Sequence, residues 1–211
     1  MTQQAQARPV PNAPQPLSGT AVWPWTALDV AWLQFLKLHQ ASTEPLHDLL
    51  ALLVSHQMGR GHACLDLDVL WQDAKQLLDW SDAQANALKQ FAAPSDQAPT
   101  DLFSEASNPW IEAAKTLPWA MGEHAPIVLS MQADGQAHRV YLRRAWQAEQ
   151  SIQAAIQLRL ATPFDVPQDA HQKLDALFGP LTKETDWQRI ACAKALRAGL
   201  TLITGGPGTG K

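Results

Sequence analysis

Apolar residues recur at helical spacing through the first part of the chain. Leu28, Ala31, Trp32, Phe35 and Leu36 share one face, which predicts a first helix with that face turned inward. Leu46, Leu49, Leu50 and Leu53 predict a second, with Ser42 or Thr43 as its cap and Pro45 tolerated in its first turn. Gly59 and Gly61 break the pattern around Arg60, and Leu70, Trp71, Ala74, Leu77 and Leu78 predict a third helix. From Ser81 to about Pro126 the periodicity weakens. Pro94 and Pro99 predict a loop there, and Asn108-Pro109 supplies a cap and first-turn proline for a short helix holding Trp110, Ala114 and Leu117. This stretch is expected to be an insertion whose length can vary without harm to the core.

The pattern then changes period. Ile127-Val128-Leu129 and Val140-Tyr141-Leu142 are short β-prone runs, and Asp134-Gly135 between them supplies the positive φ angles of a hairpin turn. A helix from about Arg144 to Leu160 follows, with Ile152, Ala155 and Ile156 on its apolar side, and Pro163 and Pro167 mark a domain boundary. Leu174, Leu177 and Phe178 predict a short helix closed by Gly179-Pro180. Asp186 or Thr185 can cap a helix from Trp187 to about Arg197, which Gly199 ends. Leu200-Thr201-Leu202-Ile203-Thr204 is expected to be a buried strand.

Composition narrows the class. With 46% hydrophobic and 17% charged residues the chain has enough apolar material for a packed core. A net charge of −4 argues against a free-standing DNA-coating protein, which needs clustered Lys and Arg, but not against a motor subunit whose basic channel lies elsewhere. The residues before Trp23 are rich in Gln, Ala and Pro, with neither the basic start nor the apolar run of a signal peptide, and are expected to be a disordered tail over 1–22. No stretch reaches the roughly 18 apolar residues of a membrane span. The expected location is cytoplasmic, with no membrane partner, and Cys64 and Cys192 are expected to be separate reduced thiols.

The chemistry-bearing motif is Gly205-Gly206-Pro207-Gly208-Thr209-Gly210-Lys211, which fits the phosphate-binding loop G-x-x-x-x-G-K. Such a loop wraps backbone N–H groups around phosphate oxygens, an approach that side chains larger than hydrogen would block. Lys211 would bring positive charge to the β- and γ-phosphates of ATP, and is the candidate catalytic residue. Gln188 lies seventeen residues before Gly205. Its amide can donate to and accept from an adenine edge at once, so it is the candidate base contact. No Ser or Thr follows Lys211 in the sequence to hold Mg²⁺, and no acidic metal pair or arginine finger can be named. The 211 residues alone are therefore expected not to hydrolyse ATP.

The run Asp186-Trp187-Gln188-Arg189-Ile190-Ala191 with Gly205–Lys211 resembles the RecD family, the α subunits of exodeoxyribonuclease V (RecBCD) and superfamily 1 helicases. Leu28-Asp29-Val30, Leu52-Leu53-Val54-Ser55-His56, Gly61-His62-Ala63-Cys64-Leu65, Tyr141-Leu142, Arg144 and Trp146 are similar to the N-terminal part of that family. The resemblance implies a mostly α N-terminal domain with a small β-hairpin over 23–162. It implies that 168–211 begin a RecA-like α/β P-loop domain. It implies ATP and Mg²⁺ as ligands, RecB-like and RecC-like subunits as partners, and 5′-to-3′ unwinding of double-stranded DNA ends in break repair by recombination. The single-stranded product would also be bound by the complete protein. The N-terminal domain would dock on the complex rather than grip DNA. Two alternatives stay open: a non-catalytic docking module or remnant that binds the other subunits, and another P-loop ATPase.

Other candidates have simpler readings. His56, His62 and Cys64 are too few for a zinc site, which needs about four ligands. Trp23, Trp25, Trp110 and Trp119 are expected to pack in the core or over loops, although tryptophan is also enriched at binding hot spots. Arg139, Arg143 and Arg144 are expected to form a solvated hairpin edge rather than a phosphate contact.

Overall fold

The computed structural model describes residues 23–92, 108–131, 137–162, 164–180 and 185–206. The expected tail over 1–22, the loop at Pro94 and Pro99, the Asp134-Gly135 turn, Pro163 and Pro207–Lys211 lie outside the described residues. The chain divides into two units, Met1–Gln147 and Ala148–Lys211.

In the first unit, helix α1 spans Ala27–His39 and begins with a reciprocal cap. Thr26 Oγ1 accepts from the Asp29 backbone N–H at 3.2 Å, and Asp29 Oδ2 accepts from the Thr26 N–H at 2.9 Å. Asp29 is itself buried, and its Oδ1 accepts from Ser55 Oγ at 2.6 Å. Ser55 lies on helix α2, Pro45–Gly59, and the neighbouring His56 places Nδ1 3.6 Å from Asp29 Oδ2. On its far side His56 Nε2 accepts from the indole N–H of Trp80 at 3.2 Å. An indole only donates, so this bond leaves Nδ1 to carry the hydrogen that faces Asp29.

These bonds fix the rotation of α1 about its axis. Asp29, Val30, Leu33 and Leu36 face inward. Leu28 and Phe35 remain 70% and 50% exposed, Ala31 is exposed and Trp32 is half-buried. Of the expected face, Leu36 is buried and Trp32 packs half-buried against the core, while Leu28, Ala31 and Phe35 do not. Helix α1 carries two apolar stripes, and the buried one is the stripe that includes the carboxylate bonded to α2.

Helix α2 is buried nearly all round from Leu49 to Ser55. Its cap position is Glu44, with no side-chain bond; Ser42 and Thr43 are not the cap. Ser42 instead bonds His47 Nδ1 at 2.8 Å, and His47 Nε2 bonds Thr116 Oγ1 at 3.1 Å. Burial pushes the His47 imidazole below its ordinary value.

The expected third helix is two, α3 (Leu67–Gln72) and α4 (Ala74–Leu78), because Asp66 and Asp73 each cap a separate start. Helix α5, Asp82–Ala92, follows. Helix α6, Pro109–Lys115, starts as Asn108-Pro109 predicts, with Asn108 Oδ1 accepting from the Trp110 N–H at 3.0 Å. The stretch expected to be an expendable insertion supplies much of the core. Trp110, Ala114, Leu117 and Trp119 are each at most 2% exposed. Trp25 is also buried, and Trp23 stacks on it at 5.8 Å, so these four tryptophans pack internally.

The hairpin forms as expected, with β2 (Ile127–Met131) antiparallel to β3 (Ala137–Leu142) and Leu129 opposite Val140. A third strand, β1 (Cys64–Asp66), pairs with the other edge of β3. The sheet order is β1-β3-β2, so the first unit is mostly helical with a small antiparallel sheet. Neither Cys64 nor Cys192 is in a disulfide. Among the described residues no helix is long and apolar enough to cross a membrane.

Helix α7, Arg143–Ala161, runs across the division between the units. None of its residues is buried, and Ile152 and Ile156 on its apolar side are 61% and 38% exposed. An amphipathic pattern makes a face available for burial without supplying its partner. The second unit continues with α8 (Ala170–Phe178) and α9 (Trp187–Ala195).

Burial by itself raises the Asp29 carboxyl, but the bonds from His56, Ser55 and Thr26 outweigh it and hold the group below its ordinary value of 3.8. A lowered native value means that this stabilisation is complete above the ordinary carboxylate range. It is lost as pH falls through the native value. Asp29→Asn is expected to cost about 1–3 kcal/mol of unfolding free energy and to flatten the acid limb of stability against pH. Denaturant midpoints of both proteins across the acid range check this; parallel acid limbs would refute it.

Candidate functional site

Two of the chemistry-bearing segments lie in the second unit. Asp186 caps α9, its Oδ1 accepting from the Arg189 N–H at 3.0 Å. Gln188 is in the first turn of α9 and is exposed. Arg189, the next residue, is 8% exposed, and its guanidinium donates to the Gly179 carbonyl and to the Asp175 carboxylate. Both acceptors belong to the C-terminal end of α8. Gly179 has φ 76°, a conformation glycine adopts without strain, which helps to set the direction of its carbonyl. Sequence reading singled out Gln188 as a candidate and did not anticipate the Arg189 anchor; a lone arginine in a polar helix start gives no sign that it is buried.

After α9 the backbone passes Gly199. A Cβ at this position would lie 2.3 Å from the carbonyl oxygen of Arg159, so only glycine lets the two backbones approach as they do. The expected buried strand over Leu200–Thr204 is not observed. These residues form no strand, and Leu202 and Ile203 are 83% and 54% exposed. A strand satisfies its backbone only against neighbours, and none pairs with this segment among the described residues. Gly205 and Gly206 follow, exposed and without regular structure. Pro207, Gly208, Thr209, Gly210 and Lys211 lie outside the described residues.

In the first unit, metal-ligand-type side chains meet at a place the sequence did not indicate. His138 Nδ1 lies 2.6 Å from Asp68 Oδ2, and its Nε2 lies 3.4 Å from Asp66 Oδ2. Arg139 Nε donates to the same Asp66 oxygen at 3.3 Å, while Asp66 Oδ1 caps α3. The carboxylates of Asp66 and Asp68 thus already have N–H partners, which makes the group a clamp between β1, β3 and the start of α3. His56, His62 and Cys64 do not join it; His56 belongs to the Asp29 network and His62 is exposed. Arg139 is spent on Asp66, Arg143 donates to the Ala125 carbonyl, and Arg144 is exposed.

A family model described as the RecBCD enzyme subunit RecD, N-terminal domain, matches residues 24–141. The chain belongs to this family. The matched span of the RecD N-terminal domain runs from the approach to α1 into β3 and contains the hydrophobic core cluster of the first unit, from Trp25 to Val140 among the described residues. The chain is also similar to the RecBCD enzyme subunit RecD of Haemophilus influenzae, at 28% identity over 182 residues, or 82% of this chain. It spans 27% of the length of that relative. Gln188 and Gly205–Lys211 lie beyond the matched RecD N-terminal span.

Gly199→Ala is expected to force α9 and the end of α7 apart, at a cost of about 1–3 kcal/mol. Hydrogen exchange should show faster amide exchange at Arg159–Thr162 and in α9. Unchanged protection there would show that the close approach carries no stability.

Proposed function

We propose that this chain is the N-terminal part of an ATP-dependent 5′-to-3′ DNA helicase subunit of exodeoxyribonuclease V. In this reading it acts with RecB-like and RecC-like partners on double-stranded DNA ends, in break repair by homologous recombination in the cytoplasm. The observation that carries the reading is the RecD N-terminal match over 24–141, followed in the same chain by Gln188 and then Gly205–Lys211. Because the chain spans 27% of the relative, unwinding is assigned to a longer protein that includes these residues.

The residues present suit the chemistry of a nucleoside triphosphate. Gly205, Gly206, Gly208 and Gly210 are residue types with no side chain to block the approach of phosphate oxygens, and Lys211 would supply the cation for them. Gln188, on a capped helix turn and exposed, offers a donor and an acceptor to the adenine edge. Mg²⁺, when bound, neutralises phosphate charge, but no Mg²⁺ ligand can be named among the 211 residues. The RecD match also counts against the alternative of an unrelated P-loop ATPase. In the complete subunit, Lys211→Ala is expected to abolish DNA unwinding while leaving subunit assembly intact, and the 211-residue chain alone should not turn over ATP. Strand-displacement and phosphate-release assays check both; ATP turnover by the pure chain would overturn the account of its missing groups.

A second reading, a docking module for the partner subunits, is favoured by the outer face of α1. Leu28, Phe35 and Leu38 are 70%, 50% and 84% exposed, Trp32 stacks on Phe35 at 6.0 Å, and Phe35 meets His39 edge-on at 4.5 Å. A helix that is apolar on two sides has a second surface to cover, and aromatic residues are enriched where partners bind. Phe35→Ser with Leu38→Ser is expected to weaken binding of the RecB-like and RecC-like subunits about tenfold or more. The unfolding midpoint should hold, since neither side chain is buried. Undiminished binding in a titration of the partners would remove α1 from the interface.

A further inference from the structure

A charged group buried as deeply as Arg189 is costly unless it is paired, and here both of its terminal nitrogens donate to atoms of one neighbouring helix end. Its guanidinium reaches the Gly179 carbonyl and the Asp175 carboxylate, while its backbone N–H is held by Asp186. The first turn of α9 is therefore held twice, through its backbone by the cap and through one side chain by the end of α8. An apolar residue could fill the same space but would leave the Gly179 carbonyl without this donor and the turn without a directional restraint. Gln188 sits on this turn, one residue earlier, and is exposed.

We propose that Arg189 is a positioning residue for base recognition: by tying the first turn of α9 to Gly179 and Asp175 it holds the Gln188 amide where an adenine edge can meet it. This rests on the reading of Gln188 as the adenine contact. Arg189 itself touches no nucleotide in this account. Its loss frees the turn, so the effect falls on selection of the base and not on the phosphate chemistry.

The test uses the complete helicase subunit, with DNA-stimulated hydrolysis of ATP and of GTP measured for each variant. Arg189→Ala is expected to raise KM for ATP about tenfold with little change in kcat, and to erode the preference for ATP over GTP as Gln188→Ala does. The double variant should be no less selective than Gln188→Ala alone, and Arg189→Lys, which keeps one donor arm, should recover part of the preference. Asp175→Ala removes only the carboxylate partner and is expected to give a smaller loss of the same kind, which serves if Arg189→Ala does not fold. If Gln188→Ala erodes the preference while Arg189→Ala, or Asp175→Ala in its place, leaves it intact, the positioning role is refuted. If Gln188→Ala itself leaves the preference unchanged, the adenine reading fails and the role of Arg189 falls with it.

Discussion

The carboxylate of Asp29 is the constraint around which the N-terminal unit is arranged. It completes the cap of α1, accepts from Ser55 on α2, and faces His56, whose other nitrogen is engaged by Trp80 just beyond α4. A buried carboxylate is tolerated only when its oxygens are filled, and filling them requires these elements to meet in one arrangement. Trp25 and Trp80 then close over His56 edge-on, at 5.8 Å and 5.7 Å. The hydrophobic core supplies the bulk of the driving force, but it is not directional. The polar network selects which stripe of α1 the core receives.

That selection has a consequence at the surface. The stripe of α1 turned outward by Asp29 contains Leu28 and Phe35, which would have served equally well as core residues. Burial of one face and exposure of the other follow from a single rotation of the helix. The apolar surface offered to a partner in the docking reading is thus a product of the same bonds that stabilise the unit.

The second unit has a different economy of contacts. Its α8 and α9 are joined by the buried guanidinium of Arg189, and Gly199 allows a backbone approach that any side chain would prevent. Leu177, Trp187 and Leu202 are each at least 74% exposed. Short-range polar restraints, rather than an apolar interior, define the turn on which Gln188 is carried.

Features governed by neighbours in sequence were legible from the residues alone. Asn108-Pro109 and Asp186 start helices because a side-chain oxygen meets a backbone N–H two or three residues on, and the β2–β3 pairing follows from two β-prone runs close together. Family membership was legible for the same reason, since it rests on local runs of residues. Features that depend on a distant partner were not legible. Strand β1 exists because β3, far along the chain, pairs with it, and Trp110 is core because helices far from it leave a place to fill. The inner face of α1, the buried state of Arg189 and the absence of a strand over Leu200–Thr204 were likewise decided by tertiary structure. Sequence periodicity offers faces and caps, but which of two apolar faces is buried, and whether a strand is paired, depends on groups that only folding brings within bonding distance.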